Sequence, residues 1–389
     1  DSVKSRGLGD VYKRQINRLY IVLIFVLAGC VEQSPEDIAQ GSLIVDTHID
    51  TPYRIKAQLD NSGTFEDIAQ NTSYDFDYPR ALSGGLNVPF FSIYLPADTE
   101  AAGTSFSLAN ELIDLMNSII EANPEKFFLI DTSTYLGNLP GQNLIGIAYG
   151  MENGAALEGN LSNVEYFYKR GIRYITLTHS KSNHISDSSY DENKQWGGLS
   201  DFGKNLITEM NNVGIMIDIS HVSDAAFLQA IDISNTPVIA SHSSLRHFTP
   251  GWERNVSDSM LEALANKGGV LQINFGTAFL TDVNDKSNSY DPSTYIHAGV
   301  TDVADHIDRA VALVGIEHVG IGSDYDGVGD TLPNGLKDVS TYPNLIAELQ
   351  NRGYSTSDIQ KILGGNFARV WREVEAVSYT HLRAHETSR

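Results

Sequence analysis

His48 and Asp50 stand two positions apart, at the end of an apolar run. Alternate residues of a strand face the same way, so both side chains can enter one cavity. An imidazole nitrogen and a carboxylate oxygen are suitable zinc ligands. Taken alone the pair is weak evidence, because such tripeptides are frequent and Asp50 could instead cap a helix or shape a turn.

Two further histidines, His221 and His242, each follow a short apolar run. If these runs are neighbouring strands, about 4.8 Å apart, the two imidazoles could share one metal. Either could instead be a hydrogen-bonded core histidine. Glu152 closes another apolar run, where a buried carboxylate is costly unless it is paired or binds metal. Its two oxygens could bridge two ions.

Other carboxylates compete for these roles. Asp324 could act as a ligand or as an acid and base, whereas Asp326 is a weaker candidate that fits a turn before Gly327. Glu158, the rival of Glu152, falls in a glycine-rich loop and is predicted to be solvated. Two histidines, one glutamate and further His/Asp ligands make two coordination spheres. Two metals about 3.5–4 Å apart can supply a bound hydroxide and polarise a carbonyl, which is typical of enzymes that catalyse hydrolysis.

Other chemistries find no support in the sequence. No glycine-rich phosphate motif or dinucleotide fingerprint stands at a strand–helix junction. The single cysteine, Cys30, lies in a leader-like segment, which excludes a cysteine nucleophile and intramolecular disulfides. The net charge of −22 argues against a nucleic-acid partner. A hydrophobic fraction of 41% with 20% charged residues is typical of a globular protein.

The elements that must position these residues alternate between short apolar runs and amphipathic stretches. The runs predict strands at 43–48, 87–94, 144–151, 173–178, 214–219, 237–241, 269–275 and 318–322. The amphipathic stretches predict helices at 107–122, 202–213, 258–266 and 303–314, with closing helices over 355–375 capped by Ser355 or Ser357. Eight such units favour a (β/α)8 TIM-like barrel of the metal-dependent hydrolase type over a doubly wound open sheet.

A barrel of this kind carries its catalytic groups at the C-terminal ends of its strands. The polar residues at those predicted ends are Asp46, His48, Asp50, Glu152, His179, His221, His242 and Asp324. Every strand-end histidine therefore falls where a site belongs.

With these residues in place, the chain resembles the membrane dipeptidase (renal dipeptidase) family of zinc peptidases, within the amidohydrolase-like superfamily. The likeness runs from about Val45 to Glu375. Its motifs are DTHIDTP at 46–52, GIRYITLTH at 171–179, IDISHVS at 217–223, SHSS at 241–244, RNV at 254–256, GSDYDG at 322–327 and GNFARV at 365–370. Their order and spacing together are more specific than any one of them.

The resemblance implies two zinc ions per chain and a role for each matching residue. The implied roles are His48 and Asp50 on one zinc, His221 and His242 on the other, Glu152 bridging both, Asp324 completing the first site and moving the proton, His179 stabilising the oxyanion, and Arg254 clamping the substrate carboxylate. A surface salt bridge is the alternative for Arg254. Asn153-Gly154 replace consecutive glycines of the animal enzymes, which leaves substrate preference open.

The implied substrate is a small dipeptide, with a D-residue tolerated at the second position and β-lactam rings as further candidates. The alternatives are a related barrel amidohydrolase that acts on lactones or N-acyl amino acids, and a non-catalytic binding lipoprotein. Loss of Arg254 should separate a dipeptide from a substrate that lacks a carboxylate. Homodimerisation is left open.

The two ends of the chain predict segments outside the barrel. Asp10–Gln15 and Val377–Leu382 can be encoded by nearly reverse-complementary DNA, so residues 1–15 and 377–389 are interpreted as adapter-derived, with coincidence as the alternative. Residues 16–30 resemble a bacterial lipoprotein signal that ends at Cys30, the expected lipidated residue. Residues 31–42 then form a tether and 43–376 the barrel. The expected location is the bacterial cell envelope, exported and lipid-anchored.

Overall fold

A computed structural model of the chain describes residues 33–284 and 290–387. Its strands are β1 Val45–Ile49, β2 Val88–Tyr94, β3 Phe127–Leu129, β4 Ile145–Glu152, β5 Ile172–Thr176, β6 Met216–Asp218, β7 Ile239–Ser243, β8 Val270–Ile273 and β9 Val319–Ile321. All pairings between these strands are parallel, in the order β1-β2-β4-β5-β6-β7-β8-β9, and β3 pairs with β4 off this path.

The sheet closes on itself beyond the end of β9. Ile49 pairs with Tyr325 in an isolated parallel bridge. The Asp324 amide donates to the His48 carbonyl at 3.0 Å, and the Asp50 amide donates to the Tyr325 carbonyl at 2.9 Å. The eight strands of the main path therefore form a nearly closed barrel, and the predicted (β/α)8 fold is confirmed.

The strands are surrounded by helices of very different lengths. They are α1 Pro35–Gly41, α2 Thr51–Ser62, α3 Tyr78–Gly84, α4 Asp98–Ala102, α5 Ser105–Ala122, α6 Ser162–Lys169, α7 Asp201–Val213, α8 Asp224–Ile233, α9 Asp258–Asn266, α10 Thr277–Leu280, α11 Val300–Val314, α12 Tyr342–Asn351, α13 Thr356–Gln360 and α14 Asn366–Thr387. A π-helical turn over Lys361–Gly365 joins the last two. None of the helices in the described residues is both long and apolar enough to span a bilayer.

One end of the barrel is filled by apolar side chains and covered by α14. Its interior cluster includes residues at or near the starts of the strands: Val45, Val88, Phe90, Ala148, Tyr174, Met216, Ile239 and Val270. Phe90 packs against Phe367 and Trp371 of α14, with ring centroids 5.0 and 5.3 Å apart. Because the N-terminal ends of the strands are closed in this way, the C-terminal ends are left for a site.

The predicted elements agree with the structure within a few residues at their ends. All eight predicted strands and all four predicted helices are present, and Ser355 caps α13 by accepting from the Asp358 amide at 3.2 Å. The three-residue β3 was not predicted. The tether predicted over residues 31–42 is wrong for Pro35–Gly41, which form α1 with Ile38 and Ala39 buried. The folded domain therefore begins before residue 43.

The remaining predictions for the chain ends stay predictions. Residues 1–15, the signal segment 16–30 and Cys30 lie outside the described residues. Helix α14 continues through most of 377–389, the segment interpreted as adapter-derived, as far as Thr387.

Candidate metal centre

The predicted ligands meet at the C-terminal end of the barrel. His48 lies in β1, Glu152 is the last residue of β4 and His242 lies in β7. The other members follow their strands: His179 after β5, His221 after β6 and Asp324 after β9. All except His179 are buried. Residues that are far apart in sequence thus share one pocket because parallel strands end at the same rim.

Glu152 lies at the middle of this cluster. Its Oε1 is 3.1 Å from His221 Nε2, 3.3 Å from His242 Nε2 and 3.6 Å from His179 Nε2. Its Oε2 is 3.5 Å from His48 Nε2 and accepts from Ser92 Oγ at 3.2 Å. The two oxygens therefore face different imidazoles, as a bridging carboxylate requires.

Three groups of these side chains bring their ligand atoms within 4.8 Å of one another, which is close enough to hold a metal ion. The groups are His48, Glu152 and His242; Glu152, His179 and His221; and His48, Asp50 and Asp324. His221 Nε2 and His242 Nε2 lie 2.8 Å apart. Nitrogen and oxygen donors in this arrangement suit zinc and similar divalent ions.

Two buried atoms of the cluster lack a hydrogen-bond partner in the described part of the chain, which indicates whether a cation would fit there. His48 Nε2 and Asp50 Oδ1 are buried and have no hydrogen-bond partner in the described residues. Asp50 precedes α2 but makes no side-chain cap there, so the capping alternative for it is wrong. Because a buried polar atom without a partner is costly, both atoms fit a ligand role.

Hydrogen bonds behind two of the histidines fix the ring nitrogen that faces the cluster. Tyr174 Oη donates to the Thr47 carbonyl at 3.0 Å, so it accepts from His48 Nδ1 at 2.9 Å. Ser241 Oγ donates to Asp218 Oδ2 at 2.6 Å, so it accepts from His242 Nδ1 at 2.7 Å. Each Nδ1 therefore carries the proton and each Nε2 is turned to the metal centre.

The electrostatics of the cluster favour a cation. Burial raises the pKa of Glu152, but His48 and His179 outweigh this and hold the pKa well below its usual range. Burial lowers the pKa of His48, but Tyr174 and Glu152 more than offset it, so this pKa is raised. Burial lowers the pKa of His221 and of His242, so both imidazoles are neutral, as metal ligands must be.

Asp324 differs from the other carboxylates in its proton affinity. Burial and then the charge of Asp50 raise its pKa to about 7. Its Oδ2 accepts from Asn274 Nδ2 at 2.7 Å, and its backbone φ is +65°. A non-glycine residue in this left-handed region is uncommon and is typical of functional sites. A carboxyl group with this pKa can take up and release a proton near neutral pH.

His179 and Arg254 reach the cluster in different ways. The His179 side chain is 21% exposed and packs edge-on against Tyr94, at the rim of the cavity. Arg254 is 3% exposed and donates to Ser243 Oγ at 2.6 Å and to the His242 carbonyl at 2.7 Å. Its Nη2 lies 3.0 Å from His221 Nε2. Arg254 is therefore not on the surface, and the salt-bridge alternative for it is wrong.

The three secondary candidates fall outside the cluster. Glu158 is exposed, as predicted. Asp326 lies in the turn and accepts from Thr51 Oγ1 at 2.6 Å and Arg54 Nε at 2.9 Å, which agrees with its predicted role. Asp46 is buried and accepts from the Ser323 amide and Tyr342 Oη, so it links β1 to the segment after β9 and to α12.

Sequence reasoning missed the residues that hold the ligands in place. Tyr174, Asp218 and Ser241 are buried residues with polar groups inside β5, β6 and β7, and their place within predicted strands was the available signal. Asn153, the departure from consecutive glycines, accepts from Asn183 Nδ2 at 2.9 Å and so ties the loop after β5 to the end of β4.

A cavity of about 870 Å³ opens above the cluster. Asp50, Glu152, His179, His221 and Asp324 form part of its wall, and residues of α2 line another part. The volume lies within the range of small-molecule sites. The centre is therefore accessible to a small substrate and closed on the side of the barrel interior.

Known proteins match this chain along the whole length of the barrel. The family model described as membrane dipeptidase (peptidase family M19) matches residues 32–384. Mouse Dipeptidase 3 is 33% identical over 338 residues, which cover 86% of this chain and 65% of that protein. The uncharacterized dipeptidase C965.12 of Schizosaccharomyces pombe is 34% identical over 361 residues, covering 89% of this chain and 84% of that protein. The chain thus spans slightly less than two-thirds of the mouse protein.

Solved structures share the fold. The probable dipeptidase PvdM from Pseudomonas aeruginosa has a TM-score of 0.78 at 25% identity, covering 88% of this chain and 98% of its own. A metallopeptidase from Rhodobacter sphaeroides, liganded with a phosphinate mimic of the dipeptide L-Ala-D-Ala, has a TM-score of 0.75 at 24% identity, with 86% and 99% covered.

Proposed function

Because the chain belongs to the membrane dipeptidase family (peptidase family M19), we propose that it hydrolyses the peptide bond of dipeptides at a centre of two zinc ions. The observation that carries this proposal is the position of Glu152, whose two oxygens face different imidazoles. A centre of this kind can bind two cations on one carboxylate, which peptide hydrolysis uses to act on water and carbonyl together.

The residues that would hold the ions divide into two sets around Glu152. His48, Asp50 and Asp324 would bind the first ion, and His221 and His242 the second. The orphaned His48 Nε2 and Asp50 Oδ1 support the first set, and the 2.8 Å approach of His221 Nε2 to His242 Nε2 supports the second. When bound, the two ions would activate a water molecule and polarise the scissile carbonyl.

The protein groups would supply the remaining chemistry. Asp324, whose Oδ2 accepts from Asn274 Nδ2, would take the proton of the attacking water and pass it to the leaving amine. His179, at the cavity rim, would hydrogen-bond the oxyanion. Arg254 would bind the C-terminal carboxylate once its guanidinium turns from His221 towards the cavity.

The carboxylate clamp would restrict the substrate to dipeptides, because a longer chain has no carboxylate at that distance. Tolerance of a D-residue at the second position and opening of β-lactam rings belong to the same proposal. If the enzyme instead cleaves lactones, Arg254→Ala should spare it. We expect Arg254→Ala to lower kcat/KM for dipeptides by about a hundredfold or more and to change little for a substrate without a carboxylate.

The deciding experiment is an assay of the purified protein with L,L and L,D dipeptides, before and after chelation. We expect hydrolysis to disappear when the metal is removed and to return when zinc is added back. Hydrolysis that survives complete removal of metal would reject the mechanism. Two bound zinc ions without hydrolysis of any dipeptide, lactone or N-acyl amino acid would favour the binding-lipoprotein alternative.

We also propose that the protein is exported and anchored by a lipid on Cys30. The short apolar run Ile21–Leu27 and the small residues before Cys30 support this. We expect the full chain to fractionate with membranes and Cys30→Ala to be released, or to keep its uncleaved leader. Identical fractionation and identical N-terminal masses of the two proteins would contradict the anchor.

A further inference from the structure

Arg54 is the only lysine or arginine among the cavity-lining residues of the described chain. It lies in the first turn of α2, one helical turn after Asp50, and is 7% exposed. Its Nε donates to Asp326 Oδ2 at 2.9 Å, and its guanidinium carbon lies 4.3 Å from the centre of the Tyr74 ring. One face and one edge of the guanidinium are therefore fixed.

The other edge has nothing to bind. Arg54 Nη1 and Nη2 are buried, and neither has a hydrogen-bond partner in the described residues. A guanidinium is always charged and carries five donors, so leaving this edge unsatisfied in a buried place is costly. Two parallel N–H donors on one edge match the two oxygens of a carboxylate.

The acidic residues near Arg54 are engaged elsewhere. Asp326 also accepts from Thr51 Oγ1 at 2.6 Å and from the Asp75 amide at 2.8 Å. Asp75 accepts from the Asp326 amide at 2.8 Å, and Glu66 accepts from the amide and hydroxyl of Ser73, both at 2.6 Å. These bonds stabilise the loop around the arginine without using its free edge.

The two arginines of the site have different contacts. Arg254 contacts His221 and the backbone of His242, whereas Arg54 contacts Asp326, close to Asp324 and Asp50. If the C-terminal carboxylate of a dipeptide binds Arg254, the part of the cavity lined by α2 is left for its first residue. The polar side chains of that part are Arg54, Gln58, Asn61, Ser62 and Tyr74, beside Tyr53 and Ala57.

We propose that Arg54 binds a carboxylate on the side chain of the substrate's first residue, so that the enzyme prefers dipeptides beginning with aspartate or glutamate. This inference rests on the proposed dipeptidase function and names its substrate class. A purely structural role, in which Arg54 only ties α2 to the turn at Asp326, is the competing explanation that the experiment tests.

The experiment compares Glu-Ala with Gln-Ala, two substrates that differ only in the charge of the first side chain. The zinc-loaded full chain should show a kcat/KM ratio of about ten or more in favour of Glu-Ala. In Arg54→Met the ratio should fall to about one, mainly through KM for Glu-Ala. Because the ratio is measured within one preparation, partial misfolding of the variant cancels. Arg54→Lys should restore part of the preference.

Arg173→Gln is the matched control. Arg173 is also nearly buried and stacks on a tyrosine, Tyr168, at 4.1 Å, but it does not line the cavity. This variant should keep the wild-type ratio. Equal wild-type rates for the two substrates, or an unchanged ratio in Arg54→Met, would overturn the assignment and leave the dipeptidase function standing. Failure of the zinc-loaded wild type to cleave any dipeptide would overturn both.

Discussion

Glu152 is the central side chain of the cluster. It is 3% exposed, and His48, His179, His221 and His242 all lie within 3.6 Å of its oxygens. Burial of a carboxylate is costly, but here the neighbouring imidazoles outweigh that cost, so Glu152 stays charged and can attract cations. We therefore expect the metal affinity of the centre to depend on the negative charge of Glu152.

Glu152→Gln should separate shape from charge at this position. The amide keeps the size of the side chain but replaces a carboxylate oxygen by a donor that faces imidazole nitrogens. We expect the bound zinc to fall below two ions per chain and kcat to fall by about a thousandfold or more, measured by metal analysis and dipeptide turnover. Glu158→Gln, an exposed neighbour, should change neither. Full zinc content with normal turnover in Glu152→Gln would disprove the bridging role.

Ser241→Ala should test the hydrogen bonds that orient a ligand. Without the hydroxyl, His242 Nδ1 loses its acceptor and Asp218 loses one of its donors. We expect zinc affinity to fall about 10- to 100-fold, measured by competition with a chelator. Ser244→Ala removes a buried hydroxyl that donates to the Asn274 carbonyl and should leave the affinity unchanged. Equal affinities in the two variants would show that Ser241 does not orient His242.

The ligand residues could be predicted from sequence because each one follows a recognisable apolar run. Their supporting residues could not. Asp218 approaches Ser241 only because β6 and β7 are neighbours in a register that pairs Asp218 with Ile239. This register depends on the closure of the whole sheet, and no local pattern encodes it.

At the scale of elements, β4 and β5 show how strand packing determines site geometry. Gly150 of β4 is the register partner of Tyr174 of β5. A Cβ atom at Gly150 would lie 1.9 Å from the Tyr174 ring, so the glycine leaves the space in which the ring reaches His48. The missing side chain in β4 thus lets Tyr174 of β5 position His48, a proposed metal ligand in β1.

Gly150→Ala should therefore disturb the metal centre from inside the barrel. We expect the Tyr174 ring to shift, the free energy of unfolding to fall by about 1–3 kcal/mol, and zinc affinity to fall with it. Urea unfolding and chelator competition would measure the two effects. Gly137→Ala, where a Cβ meets open space, should be neutral. A Gly150→Ala protein with wild-type zinc affinity would contradict this coupling.

The elements themselves were largely predictable, and the exceptions have physical reasons. Strand ends were displaced by up to two residues because the apolar runs continue into buried loops such as Ile219 and Phe275. Strand β3 pairs with β4 off the main path of the barrel, so the alternation of eight units does not include it. Helix α1 presents only Ile38 and Ala39 to the domain, so its polar composition resembled a linker.

At the scale of the whole molecule, His306 connects three parts of the outer layer. It lies in α11, its Nδ1 accepts from the Leu245 amide at 3.0 Å, and its Nε2 donates to the Leu280 carbonyl at 3.0 Å. The side chain is fully buried and therefore neutral. His306 is not one of the predicted ligands, and its two hydrogen bonds give it a structural role.

Stability should depend on pH through this residue. Burial lowers the pKa of His306 to about 4, below its ordinary value of 6.5. Because the folded pKa is the lower one, its contribution to stability is complete above about pH 6.5 and is lost as the pH falls towards 4. The loss should approach about 3 kcal/mol in the free energy of unfolding, measured in urea between pH 7.5 and 4.5.

His306→Gln should show a flatter pH dependence, and exposed His247→Gln should behave like the wild type. Parallel curves for His306→Gln and wild type would refute the assignment.

The seam between Ile49 and Tyr325 has a consequence for synthesis of the protein. The ribosome releases His48 and Asp50 early, whereas their partner Asp324 emerges only when the barrel is almost complete. Until β9 and Asp324 are made, a nascent chain has unpaired sheet edges at β1 and β8 and lacks one of the proposed metal ligands. A product terminated before residue 324 would therefore be an open sheet that is prone to aggregate, not a folded enzyme with reduced activity. Complete metal binding would require a chain that includes Asp324.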